Sequence, residues 1–493
     1  GISTITRSSK PTIVSGYYGN TFVVKDIDSG YEYIRAETGG RQRILDYRSD
    51  IEKINLGKTP LRYQVIVCKG MKDGSNSLFV QHSPSQVASE IPTEGCFGAK
   101  GAKLHNETIF GSTSFTLTNQ EIVFLVTASE DCSSRISAWN QGSIIDSVPL
   151  TPQESCCRCV ASSKLNDKSV FLAIGGGKLT LQFFLVKVQS NSTIVKSTQD
   201  LEITFIGKGS TRNKGDIDHR MNAVQAVTLL GDKSQSQLVV GGDSNGCFHI
   251  FVVKGDDNED CSNIVRGFSL PTTSGRPILS IEIVTVRNRF LIFMGSTGGD
   301  VIFLDVPGTL SELLDLDEDA NCWNPIGKYL GHQMGANCIV AQIPSLEVTK
   351  NGINASVLVI TGGDDQSLCI SRIRLKQIGD CNSPLNLVHN AELSIFPEAS
   401  SSAIKGVSLL RFRGQNYIIA VGYSQQLSVW RINSEIRLSL QFLSSVSVDL
   451  GDVNSLSVCG KSPCFVAVCG MGVEMFQQEH DEFKKIANPG LLV

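Results

Sequence analysis

From residue 104 onward one pattern keeps returning. An apolar run leads into a turn of small or polar residues, and a second run follows that ends near an aromatic or large apolar side chain. It reads FLVTASEDCSSRISAW at 124–139, VFLAIGGGKLTLQFF at 170–184 and LVVGGDSNGCFHIF at 238–251. It returns as LIFMGSTGGDVIFLD at 291–305, VLVITGGDDQSLCISRIRL at 357–375, YIIAVGYSQQLSVW at 417–430 and FVAVCGMGVEMF at 465–476. Further apolar runs precede the copies, among them 156–161, 223–230, 278–286 and 404–412. Short β-rich runs bounded by such turns predict strands. One small sheet buries too little by itself, so units of this kind must stack on one another.

The copies recur every ~45 to ~67 residues, against ~40–45 for a tight four-stranded repeat. The excess falls in the polar segments 255–263, 310–324 and 347–354, which predict loops projecting from the units. Seven units follow residue 104, and seven is a common number for closing a radial array. Residues 12–92 add roughly two more. The expected fold class is therefore all-β: one complete seven-bladed β-propeller preceded by the last blades of another. The expected boundaries are 1–100 for the preceding blades and linker, 101–485 for the complete propeller and 486–493 for a tail. Residues 1–11 read as frayed and 84–103 as a linker or long loop. Helix content should be very low, with 311–316 the best candidate for a helical turn. The first residue is Gly1, and the chain is expected to be a fragment of a longer protein.

Residues 357–375 are the best-kept copy. Gly362 and Gly363 are read as the positions with unusual backbone angles, and Asp364 or Asp365 as bonding back to the turn amides. His332 follows Gly331 at the start of the same unit. A buried histidine there can bond toward Asp365 and stiffen the blade.

Composition narrows the classes. The chain of 493 residues is 41% hydrophobic and 19% charged, a foldable balance. It contains no apolar run long enough for a spanning helix and no signal-type start. The net charge of −4 argues against a uniformly basic nucleic-acid surface. The fifteen cysteines are scattered and read as reduced, mostly buried thiols, which points to a cytoplasmic location. No cofactor, metal, membrane or DNA partner is expected.

Few constellations promise chemistry. Cys156, Cys157 and Cys159 lack a second ligand pair at zinc spacing. Residues 315–319 lack the glycine turn and closing Glu of a calcium loop. Gly175–Gly177 lack a following helix with Lys-Ser/Thr. No catalytic residue is assigned. The basic loops stand out more. Arg41 and Arg43 flank Gln42 after two glycines, and a second basic stretch at 208–220 ends in Arg220. Arginines on a rigid scaffold can fork onto phosphates, so Arg41, Arg43 and Arg220 are the candidate phosphate contacts.

The repeats resemble a degenerate WD40 array. The remnants are Gly331-His332, Asp365, Trp430, Leu304-Asp305 and Lys25-Asp26. Residues 22–40, 218–221, 335–366 and 452–476 are similar in order to the C-terminal half of the WD repeat-containing protein 6 family. That resemblance implies a non-enzymatic scaffold that binds tRNA and a tRNA 2′-O-ribose methyltransferase, supporting wobble-position (nucleotide 34) methylation, and would make Arg41, Arg43 and Arg220 tRNA contacts. The sequence departs from the family where Arg41-Gln42-Arg43-Ile44 replaces Trp and paired arginines. The alternative is a general protein-interaction propeller without RNA. A propeller enzyme would instead need convergent acids or histidines at the central channel.

Overall fold

The structure is a computed structural model. It describes residues 104–485 apart from short loop segments, the longest being 211–218, 255–263 and 316–324. Of residues 1–103 it describes only the backbone of eight strands. The chain divides into two compact units, Gly1–Phe97 and Gly98–Val493.

The second unit is a seven-bladed β-propeller. Its strands form seven antiparallel sheets, each from one continuous stretch: 109–149, 157–210, 221–271, 278–330, 336–396, 404–447 and 455–485. These are blades 1 to 7. In six blades the four strands lie in chain order, first strand to last, and in blade 5 the first three do so. The first strands stand side by side around the ring, and that of blade 7, Ser455–Cys459, meets that of blade 1, Ile109–Phe115. No blade borrows a strand from another. Closure therefore falls to side chains. Ser112 shares a 2.6 Å hydroxyl bond with Ser455, and Ser457 donates to Ser114, which donates to the Val458 carbonyl. Behind them Trp139, Leu125 and Ile109 pack on Phe465, Ala467 and Met475.

The same logic fills every gap between blades. Val239, Leu291, Val359 and Ile419 sit mid-strand, fully buried, with side chains alternating toward one neighbour or the other. This is why the second strands are continuous apolar runs: they have no solvent face. Blade 5 departs by length. Its first strands, Ala336–Thr349 and Gly352–Gly363, run longer than those of any other blade. Two further segments, Leu385–Leu387 and Glu392–Phe396, both pair with Leu368–Ile378.

The helical turn expected at 311–316 is present as Leu310–Asp315. A short 3-10 turn at Thr198–Asp200, capped by Ser197, was not anticipated. In the first unit two expectations need correction. Residues 2–6 are not frayed but pair as Ile2–Thr6 with Ile13–Tyr18. The supposed linker contains the strand Ser89–Pro92, which pairs with Asn76–His82. The first unit thus holds two four-stranded sheets. The reading of Gly362 and Gly363 also changes. Both belong to a regular strand, and the left-handed residue of the turn is Gln366, at φ 67°. The glycines are required for space. A Cβ on Gly362 would meet Ile404 at 2.5 Å, and one on Gly363 would meet His332 at 2.4 Å.

Candidate functional site

The innermost strands share an irregularity at one mouth of the ring. In blades 1 to 6 the pairing register slips at the second residue: Phe110, Arg158, Asn222, Leu279, Asn337 and Lys405. Asn454 holds the matching place in blade 7, where its N–H donates to Cys469 O. A β-bulge of this kind re-aims a side chain. All seven residues are half-buried, and contacts that they make join neighbouring blades. The Arg158 guanidinium lies 4.6 Å from the Phe110 ring centre. Asn222 donates to Ile278 O, and Asn337 to both Ile404 O and Asp364. Lys405 bonds Asp364 at 2.8 Å and lies over the Tyr423 ring, and the Tyr423 hydroxyl reaches Asn454.

Around this mouth the loops divide in character. Among the described residues blades 2 to 4 supply Arg158, Lys178, Arg220 and Arg276 there, with Asp300 half-buried and Asp243 buried at the same end. Blades 5 to 7 supply Met334, Tyr423 and Met471, each about half exposed. Arg220 is exposed, and its backbone is fixed on both sides by Ser244. Arg276 lies across Gly298, where a Cβ would meet its guanidinium. Of the other candidates, Arg41 lies outside the described residues, and Arg43 heads the strand Arg43–Ser49.

His332 sits at the centre of a blade-5 network. Its Nδ1–H donates toward Asp365 at 3.0 Å, and the Thr361 hydroxyl donates to its Nε2 at 2.8 Å. The Ser367 hydroxyl and the Gln333 N–H also donate to Asp365. Asp365 thus receives donors from two chain segments, 332–333 and Ser367. Burial alone would raise its pKa, but these hydrogen bonds outweigh burial and hold it below the usual carboxylate range. Trp430 is half-buried, donates to Ser428 and meets Phe442 edge-on at 5.1 Å.

Sequence reasoning missed a second copy of the network. In blade 1 His105 contacts Asp131, Ser133 and Thr127 through the same atoms. Leu104 precedes this histidine, so no Gly-His dipeptide marks it. The usable signal is Thr-x-x-x-Asp-x-Ser at 127–133 and again at 361–367. Its middle residues, Cys132 and Gln366, both take left-handed φ. Blade 3 uses another pairing, with Asp243 2.9 Å from His249 and both buried. Arg158 was hidden between Cys157 and Cys159. These two cysteines belong to different core clusters, so the triplet does not converge on a metal.

Farther down the channel, Gln225 of blade 3 donates to Glu282 of blade 4 at 3.1 Å. Burial pushes the Glu282 carboxyl up to about 8. A raised carboxyl pKa means that folding penalises the ionised form. Stability therefore falls as pH rises from about 4.5 to about 8. Because Glu282 keeps partial exposure, Glu282→Gln is expected to add about 1–2 kcal/mol at pH 8 and almost nothing at pH 4. Urea midpoints across that range measure it, and a variant that tracks wild type at both ends would refute it.

No protein-family model matches the chain, and no curated protein matches it. No group of three His, Cys, Asp or Glu among the described residues converges to hold a metal ion. No described helix is long and apolar enough to cross a membrane.

Proposed function

We propose that this chain is a non-enzymatic propeller scaffold whose described mouth is a binding surface. The observation that carries this reading is the partition of one rigid rim into a cationic sector in blades 2 to 4 and an exposed Met/Tyr sector in blades 5 to 7. A cationic sector suits phosphate backbone. Exposed methionine and tyrosine suit a protein partner. The finer reading joins the two: a cytoplasmic adaptor that holds tRNA and a tRNA 2′-O-ribose methyltransferase so that the partner methylates the ribose of nucleotide 34. Its support is the sequence resemblance set out above. On this reading the two sheets of residues 1–97 are the last blades of a preceding propeller, and Arg41 and Arg43 add phosphate contacts there.

The apolar sector favours a second reading, a protein-interaction propeller without RNA. Binding of a tRNA anticodon stem-loop, followed by fluorescence anisotropy over a salt series, separates them. Arg158→Gln, Arg220→Gln and Arg276→Gln together should weaken binding about 10–100-fold and reduce the log–log salt slope by about 2–3. Absence of salt-dependent RNA binding in wild type would leave the protein-only scaffold. In cells, depletion of the protein should lower 2′-O-methylation at nucleotide 34, and unchanged methylation would overturn the adaptor reading.

A further inference from the structure

Away from the mouth, the over-long hairpin of blade 5 opens a cavity of about 310 Å³ against blade 6. Pairing slips between Gln342 and Ser345, where Pro344 cannot donate to the ladder. Beyond the slip Ser345 lies opposite Ser356, and Ser356 opposite Arg374. One row inward Gln342 lies opposite Leu358, and Leu358 opposite Arg372. Residues directly opposite in a sheet share a face, and so do residues two apart on one strand. Arg372 and Arg374 therefore stand side by side on the face that lines the cavity. The Ser345 and Ser356 hydroxyls and Asn416 of blade 6 complete its polar wall.

We infer that this cavity is a binding site for a tetrahedral oxyanion of the phosphate class. The inference is independent of the proposed function. Two guanidiniums and two hydroxyls in one small pocket are the donor set such an anion takes. One carboxylate reaches both arginines. Glu392 Oε2 lies 3.3 Å from Arg372 Nη1 and 3.7 Å from Arg374 Nη2. Both distances exceed the 2.7–2.9 Å of a well-formed charged hydrogen bond. Glu392 thus partly occupies a place that a better-fitting anion would take. A second point supports the site: the Gln342 Nε2 amide, in the row of Arg372, is buried without a hydrogen-bond partner. Lys376 continues the cationic side of the strand, with Glu347 in the same row of pairs. The charges of Arg372, Arg374 and Lys376 against Glu392 and Glu347 leave one net positive. The volume lies at the lower end of ligand sites, which run roughly 300–1,000 Å³, so a free phosphate or a small phosphate ester fits.

The test is a titration of the full chain with inorganic phosphate and, separately, phenyl phosphate. Sodium chloride holds the ionic strength constant, and the thermal midpoint is the readout. A saturable rise with phosphate is expected, and a rise with phenyl phosphate extends the site to esters. Glu392→Gln should tighten the apparent constant about tenfold, because it removes a carboxylate that competes for both arginines and repels the anion. Arg374→Gln should weaken it at least tenfold. Ser356→Ala, which leaves every charge in place, should weaken it a few-fold. The inference is overturned if neither wild type nor Glu392→Gln responds beyond chloride, if Glu392→Gln fails to tighten, or if Arg374→Gln responds like wild type.

Discussion

Asp305→Ala will destabilise the propeller by about 3–5 kcal/mol, the cost of breaking a buried ion pair on one side. Asp305 takes the Arg289 Nε–H on both carboxylate oxygens, at 2.7 and 2.8 Å. It also accepts the Leu385 N–H of blade 5 at 2.8 Å. Arg289 and Asp305 lie on paired strands of blade 4 and are both buried. Alanine would remove the carboxylate that the buried Arg289 guanidinium donates to and leave a backbone donor without its acceptor. It would also cut one of the ties between blades 4 and 5, leaving those of Ser280 to Ala336 O and Ser371 to Tyr329. The urea midpoint should fall steeply, with the effect concentrated on these two blades. The companion double variant Arg289→Met with Asp305→Leu removes both charges and should recover most of the loss, because apolar replacement of a buried pair is often near neutral. A double variant no better than Asp305→Ala would show that the Leu385 contact, not the pair, sets the stability.

Asp305 also shows what could be read from residues alone. Leu304-Asp305 marks the end of a repeat, and the strand on which it lies was legible. Its partners were not: Arg289 is 16 residues away and the Leu385 amide 80. The repeat period, the blade count and the helical turn at 310–315 are local patterns, and local patterns survive in a sequence. Strand Ser89–Pro92 escaped because Ser, Glu and Pro disguise an edge strand as loop. The mouth escaped for another reason. Arg158 and Lys405 gain their place from a register slip, which is a relation between two strands and leaves no mark on either one. Arg220 was singled out as part of a basic stretch, yet Arg276 lies at the same mouth without any basic neighbour. In 357–375 attention went to the paired aspartates. The cavity arginines, Arg372 and Arg374, were in plain view there as an alternating pair, and only the blade-6 wall gives them a purpose.

The two histidine networks support the second large prediction. His105 and His332 are both buried. Burial pushes each imidazole below its usual range, and the attraction of Asp131 or Asp365 recovers only part of the shift. The folded state therefore prefers neutral rings. The unfolded chain takes up protons near pH 6.5 and the folded chain only at lower pH. Stability is fully present above about 6.5 and is lost as pH falls toward the lowered values. The carboxylates have the same sign at lower pH. Asp131, Asp243 and Asp365 are all held below their usual range despite burial. Their contribution is complete above about 3.8 and disappears beneath it. Acid should thus weaken the two networks in two stages, the first running against the opposite slope that Glu282 contributes between about 8 and 4.5. Replacing either histidine by asparagine strands a threonine hydroxyl and removes a donor from an aspartate, at about 2–3 kcal/mol each. Blades 1 and 5 are not neighbours in the ring, so the two losses should add within about 0.5 kcal/mol. The advantage of wild type over the double variant should also shrink between pH 7 and 5, while the lower stage stays in place in both. Urea titrations at pH 7, 6, 5 and 3.5 distinguish the stages. A difference between wild type and the double variant that stays constant from pH 7 to 5 would mean that each ring takes up its proton alike in the folded and unfolded chains, with the attraction of Asp131 and Asp365 cancelling burial.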